Sequence, residues 1–279
     1  MKKGISIWSF PNQPLKDSFA LAKDAGFEGV EVALDAAGEV SLQSTEAQLL
    51  EVKKQANESG IELYSVASGL YWDNWLTADC PEERQRAKDI VKKHLETAKV
   101  LGCDTILVVP GSVNAEFAAP GKVVDYVTAY ERSLEALREL AEYAEKVGVS
   151  IGVENVWNRF LCSPVEMRDF IDKIGSDFVG SYFDVGNVLF NGFPEHWIRA
   201  LGKRIKKVHF KDYRVAAGGL HGFVDLLAGD VNYPEVVKAL GEVGYDGWVS
   251  AEMIPNYKYH TEAIIYNTSL SMDKILGRK

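Results

Sequence analysis

The sequence predicts an α/β protein, a single (β/α)8 TIM barrel over residues 1–279, on three observations. First, a glycine recurs between the end of an amphipathic segment and the start of an apolar run, at Gly26, Gly60, Gly102, Gly148, Gly175, Gly202 and Gly244. Glycine suits the left-handed turn that closes a helix. Second, these joints imply seven strands after helices, and Ile5–Ser9 supplies an opening strand, which makes the eight that close a parallel barrel. Third, the connections after strands are long, near 68–81, 110–122, 155–162 and 212–232, whereas helix-to-strand joints are short. A barrel with one functional face has that asymmetry.

The strands read as 4–9, 28–33, 61–67, 104–109, 149–154, 178–183, 205–210 and 247–252. They are rich in β-branched and aromatic residues, and their continuous apolar runs suit strands buried on both faces. Between them, Ala87, Ile90, Val91, Leu95, Ala98 and Leu101 form one stripe of a helix over 82–101 that Pro81 could open. Ser163-Pro164-Val165-Glu166 carries a capping box and a proline at the first helical position. A long periodic helix covers 123–147, and a last one near 260–277 completes the outer ring. The glycine-rich fingerprint of dinucleotide folds and the Walker A loop are both absent.

Composition narrows the function classes. Hydrophobic content of 47% is ample for a core, and a net charge of −9 speaks against a nucleic-acid surface, which needs clustered Lys and Arg. The apolar run before Pro11 is too short for a signal segment, and no run approaches membrane-spanning length. The three cysteines, Cys80, Cys103 and Cys162, lack a CxxC spacing, so a reduced, cytoplasmic chain is expected.

Four consecutive strands, the fifth to the eighth, end in a group that can bind a divalent metal: Glu154, Asp184, His209 and Glu252. Each alone has an ordinary structural explanation, as an ion-pair partner, a turn residue or a core histidine. Their coincidence at the strand ends that converge on one barrel mouth points to a metal site. Two Glu, one Asp and one His suit a borderline-hard cation: Mn²⁺ first, with Mg²⁺, Co²⁺ or Zn²⁺ as alternatives. Trp8, Ser68, Trp72, Trp157, Asn187, Lys211 and Arg214 are the candidate substrate contacts. Aromatic rings stack on sugar C–H faces, Asn155 and Asn187 can orient carboxylates, and Lys211 and Arg214 can hold a substrate oxygen or phosphate. Phe10, Tyr71, Trp75 and Phe160 fall near the same mouth, with core packing as the alternative. His221 reads as an exposed loop residue, and His94, His196 and His260 are assigned no role.

Taken as an ordered set, Gly152-Val-Glu-Asn-Val-Trp-Asn-Arg-Phe160, Tyr182-Phe-Asp-Val-Gly-Asn187, Val208-His-Phe-Lys-Asp-Tyr-Arg214, Gly229-Asp-Val-Asn-Tyr-Pro234 and Gly244-Tyr-Asp-Gly-Trp-Val-Ser-Ala-Glu252 resemble the xylose-isomerase-like barrel superfamily, in its sugar epimerase/isomerase branch. That branch includes D-tagatose and D-psicose 3-epimerases, L-ribulose- and L-xylulose-5-phosphate 3-epimerases and hydroxypyruvate isomerase. The resemblance implies a metal site on Glu154, Asp184, His209 and Glu252, with Glu154 and Glu252 as the acid/base pair. It also implies a homodimer or homotetramer acting on a small sugar or sugar phosphate. Asn187 stands where the tagatose and psicose enzymes carry a substrate-binding histidine, and Arg214 sits one residue nearer the histidine than the family's substrate-binding arginine.

The implied reaction is removal of a ketose C3 proton by one glutamate and its return by the other through a metal-stabilised enediolate. Aldose–ketose isomerisation uses the same parts. The rivals are an inosose-type dehydratase or lyase, an endonuclease of abasic sites and a non-catalytic sugar-binding barrel. The single strand-end histidine and the acidic charge count against the nuclease.

Overall fold

The computed structural model of the protein describes residues 1–278. The eight strands are β1 (Lys2–Ser6), β2 (Gly29–Ala33), β3 (Glu62–Ala67), β4 (Thr105–Val108), β5 (Ser150–Glu154), β6 (Val179–Asp184), β7 (Ile205–Phe210) and β8 (Trp248–Ala251). All pair in parallel in chain order, and β8 returns to β1 to close the barrel. Around them lie α1 (Leu15–Asp24), α2 (Glu46–Glu58), α3 (Pro81–Leu101), α4 (Tyr126–Val147), α5 (Pro164–Ile174), α6 (Pro194–Leu201), α7 (Tyr233–Glu242) and α8 (Ala263–Ile275). A short antiparallel ribbon, Asp212–Tyr213 with Phe223–Val224, folds the loop after β7 over the mouth side of the barrel. Among the described residues, no helix is long and apolar enough to cross a membrane.

The joint glycines all have positive φ, from 55° at Gly202 to 88° at Gly26. Gly202 departs from the left-handed helical turn and opens a one-turn 3-10 segment before β7. The opening strand lies earlier than the predicted 4–9. Lys2 and Lys3 pair with Trp248 and Val249, and Ile7–Ser9 turns away as a 3-10 segment. The charge of Lys3 hid this from hydropathy: its ammonium reaches Ser269 at 3.0 Å and Asp273 at 2.6 Å on α8. Helix α4 begins at Tyr126, not 123, because Asp125 caps it by accepting from the Thr128 N–H. At α5, Ser163 accepts from the Glu166 N–H as predicted, but the Glu166 carboxylate takes the Cys162 N–H instead of closing the box on Ser163.

Successive strand residues point to opposite faces of a barrel wall. One set, including Val153, Phe183, Val208 and Val249, joins the large apolar core between barrel and helices. The other set faces inward, where Ala67, Leu107 and Tyr182 form a separate small cluster with Trp8 against it. Gly152 makes room for Tyr182: a Cβ there would meet the Tyr182 side chain at 2.9 Å. Tyr182 then reaches the middle of the barrel, beneath the strand ends.

Candidate active site

Glu154 ends β5, Asp184 ends β6, His209 is the penultimate residue of β7 and Glu252 follows β8 directly. Neighbouring strands thus bring four candidate ligands to one place, and one donor atom from each lies within 4.8 Å of all the others. None of the four is more than 7% exposed. His209 Nδ1 stands 3.9 Å from Asp184 Oδ2 and 3.7 Å from Glu252 Oε2. His209 Nδ1 and Asp184 Oδ2 have no hydrogen-bond partner although both are buried. Buried polar atoms are ordinarily paired. An orphaned carboxylate oxygen and an imidazole nitrogen facing a common centre fit a divalent cation in both geometry and chemistry.

Charge argues the same way. Glu31, Glu154, Asp184 and Glu252 are buried together, and among the described residues only His209 and Lys211 stand against them as cationic partners. The Lys211 ammonium lies against Glu252 Oε2 and 3.5 Å from Asp184 Oδ2. Burial opposes its charge, but Glu252 and Asp184 hold it protonated, well above its usual range. Burial, reinforced by the charges of Glu252 and Asp184, pushes the Glu154 carboxyl well up. Burial also raises Asp184. The excess of buried carboxylates is costly unless a cation offsets it.

One residue central to this arrangement escaped the sequence reading. Glu31, in the middle of β2 and fully buried, faces His209 Nε2 at 2.9 Å and accepts from Ser65 Oγ at 2.8 Å and from the Tyr182 hydroxyl. Burial works against its charge, but the His209 charge and these hydrogen bonds outweigh it and hold the carboxyl below its usual range. Burial likewise opposes a charge on His209, yet Glu31 drives its pKa up to about 10. The available signal was a carboxylate inside an otherwise apolar strand, Gly29-Val-Glu-Val-Ala33.

The predicted contacts divide. Asn155 and Asn187 brace Asp184. The Asn155 side chain donates to the Asp184 carbonyl at 2.7 Å and accepts its N–H at 2.9 Å, while the Asn187 N–H donates to Asp184 Oδ1 at 2.8 Å. Trp157 donates to the Asn187 carbonyl at 2.8 Å and packs against Tyr213, Phe223 and Phe190. Trp8 packs against the inner cluster of Ala67, Leu107 and Tyr182, and Trp72 packs edge-on against Phe117. Ser68 bridges two loops, donating to the Leu34 carbonyl after β2 and accepting from the Leu70 N–H after β3. Arg214 is exposed and donates to the Ala228 carbonyl. Phe10, Tyr71, Trp75 and Phe160 are buried and belong to the core; Trp75 also donates to the Trp72 carbonyl and Tyr71 bonds His94. His221 is exposed, as expected.

Beside the cluster lies a cleft of about 420 Å³ whose inner end is formed by Asn155 and Asn187.

The chain is similar to two relatives and to one solved structure. It is 27% identical over 263 residues to the 2-oxo-tetronate isomerase of Pectobacterium atrosepticum, covering 89% of this chain and 90% of that one. It is 21% identical over 265 residues to the fructoselysine 3-epimerase of Escherichia coli O157:H7, covering 92% of each. The crystal structure of the IOLI protein with a zinc atom superposes with a TM-score of 0.82 at 18% identity, covering 99% of this chain and 98% of that one, which shows a shared fold. The family model described as xylose isomerase-like TIM barrel matches residues 19–268, and the chain belongs to that family.

Proposed function

We propose that the protein is a divalent-metal-dependent ketose or ketose-phosphate 3-epimerase/isomerase in which Glu154 and Glu252 move the substrate proton. The observation that carries this reading is the placement of the two glutamates. They come from β5 and β8, with Asp184 and His209 between them along the barrel wall, so they flank the shared centre. Two acid/base groups flanking one centre suit removal of a proton from one face of a carbon and its return to the other. The isomerase and epimerase activities of the two relatives support proton transfer on a sugar.

Glu154, Asp184, His209 and Glu252 would hold the cation, Mn²⁺ by the donor set, with Mg²⁺, Co²⁺ or Zn²⁺ as alternatives. When bound, such a cation supplies Lewis-acid polarisation of a substrate carbonyl and stabilises the negative charge that follows loss of a C–H proton. Asp184 and His209 serve as fixed ligands, the first braced by Asn155 and Asn187 and the second by Glu31. Glu154, whose protonated form burial favours, is suited to deliver a proton, and Glu252, beside the Lys211 ammonium, to remove one. Lys211 then stands where it can hold a substrate oxygen. Trp8, Trp72, Trp157 and Asn187 are the remaining proposed contacts, and Tyr213, Phe223 and Trp157 shield the site from water.

The test is incubation with Mn²⁺ in deuterated water against a panel of ketoses and ketose phosphates. Label at C3 identifies epimerisation, and label at C1 or C2 identifies isomerisation. Loss of water by mass would move the assignment to a dehydratase. Absence of exchange from every member of the panel would end the reading.

A further inference from the structure

We infer that the cleft beside the carboxylate cluster holds a substituent of the substrate, so that the preferred substrate is a keto-sugar bearing an apolar or aryl group rather than a free or phosphorylated sugar. This rests on the proton-transfer reading above.

The cleft adjoins the site at Asn155 and Asn187, both of which line it and both of which hydrogen-bond Asp184. None of the four candidate ligands lines it, so its roughly 420 Å³ is additional to the space where the sugar would react. Pockets for drug-sized ligands start at about 300 Å³, so the cleft alone can seat a ring and a short linker. Its walls are chosen for apolar contact: Trp157, Phe117, Phe190, Val188 and Leu220 line it. Phe117, Phe190 and Leu220 are 46%, 59% and 48% exposed. Large apolar side chains gathered on an open rim next to a polar site mark a surface that a ligand covers.

The same face offers no organised phosphate site. Lys211 sits within the carboxylate cluster beside Glu252 and Asp184 and does not line the cleft, and Arg214 donates to the Ala228 carbonyl. The remaining cation at the cleft, Arg159, sits at its outer end with Glu116, whose carboxyl is held low by hydrogen bonds from Gly121 and Asn114 and by the Arg159 charge. A rim of mixed sign suits a neutral or zwitterionic outer end of the substituent better than a dianion.

The experiment uses the Mn²⁺-loaded protein in deuterated water with four matched compounds: D-fructose, D-fructose 6-phosphate, and the 1-O-benzyl and 6-O-benzyl ethers of D-fructose. One benzyl ether should exchange with a kcat/KM at least about tenfold above both the free and the phosphorylated sugar, the gain appearing mainly in KM. Phe190→Ala and Leu220→Ala, at exposed positions that do not support the core, should bring the ratio of benzyl ether to free sugar toward one. Exchange of D-fructose or its phosphate at least as fast as of both ethers overturns the inference and leaves the proton-transfer reading standing. No exchange from any of the four compounds counts against both.

Discussion

His209 Nε2 lies 2.9 Å from Glu31 Oε1, and this contact decides which imidazole nitrogen is left for a ligand. An ionised carboxylate only accepts, so Nε2 keeps its proton against Glu31, and Nδ1, turned toward Asp184 and Glu252, is the nitrogen whose proton a cation would displace. Carboxylate partners of this kind fix the ring's tautomer and orientation and raise its basicity as a ligand. Glu31→Gln keeps the shape but allows the amide to present its oxygen or its NH₂ to the ring. Cation affinity should fall by about 10- to 100-fold, the usual cost of losing such a partner. Competition of Mn²⁺ against a chelating dye measures it without reference to turnover. An unchanged affinity would remove Glu31 from this role.

Glu252→Gln tests the proton-transfer assignment directly. The amide can still offer a carbonyl oxygen at the same point but cannot carry a proton. Solvent exchange into substrate should drop by about 10²–10⁴-fold while the protein still takes up Mn²⁺. Full exchange activity in the metal-loaded variant would take Glu252 out of the acid/base pair. A parallel loss in Glu154→Gln is expected, since both steps of an epimerisation must be completed.

Strand ends were legible because the chemistry they carry interrupts an apolar run at a predictable place. Glu154, Asp184 and Glu252 were found that way, and the structure brings them together with His209. Glu31, Ser65 and Tyr182 were not, because they lie inside strands that read as uniformly apolar. A barrel interior is a second surface with its own period of two, and polar residues there serve one another instead of solvent. The substrate contacts were less legible still. Ser68 and Arg214 have the right residue types, but backbone carbonyls distant in sequence, Leu34 and Ala228, take their hydrogen bonds, and only the folded chain shows it.

Removal of divalent cations should lower stability. A ligand bound only by the folded state stabilises it by about 2.7 kcal/mol at a hundredfold excess over its Kd. Adding EDTA to protein incubated with Mn²⁺ should therefore lower Tm by several degrees, and fresh Mn²⁺ should restore it. Asp184→Asn keeps the backbone contacts of the side chain but replaces an anionic ligand with an amide, so its Tm should respond little to either addition. A wild-type Tm indifferent to chelator and metal would mean that the buried carboxylates are balanced in some other way.

His94 gives a pH dependence that arises outside the candidate ligand cluster. It is fully buried on α3, with Nε2 2.9 Å from the Val66 carbonyl and Nδ1 2.9 Å from the Tyr71 hydroxyl. The carbonyl can only accept, so Nε2 carries the proton and the Tyr71 hydroxyl donates to Nδ1, which leaves no place for a second proton. Burial accordingly drives its pKa down to about 3, against the opposing pull of the Val66 carbonyl and Glu31. The unfolded chain protonates this ring below about pH 6.5, whereas the folded chain does not. Unfolding therefore takes up one proton between roughly pH 6.5 and 3, and this residue alone lowers stability by about 1.4 kcal/mol for each pH unit of acidification in that window. Above the window the contribution is flat. His94→Gln retains a donor for Val66 but cannot titrate. Denaturant unfolding of the two proteins between pH 6 and 4 should show the variant's stability falling less steeply, by one proton's worth, whatever its absolute stability. Parallel slopes would mean that His94 is protonated in the folded state, which the Val66 and Tyr71 contacts oppose.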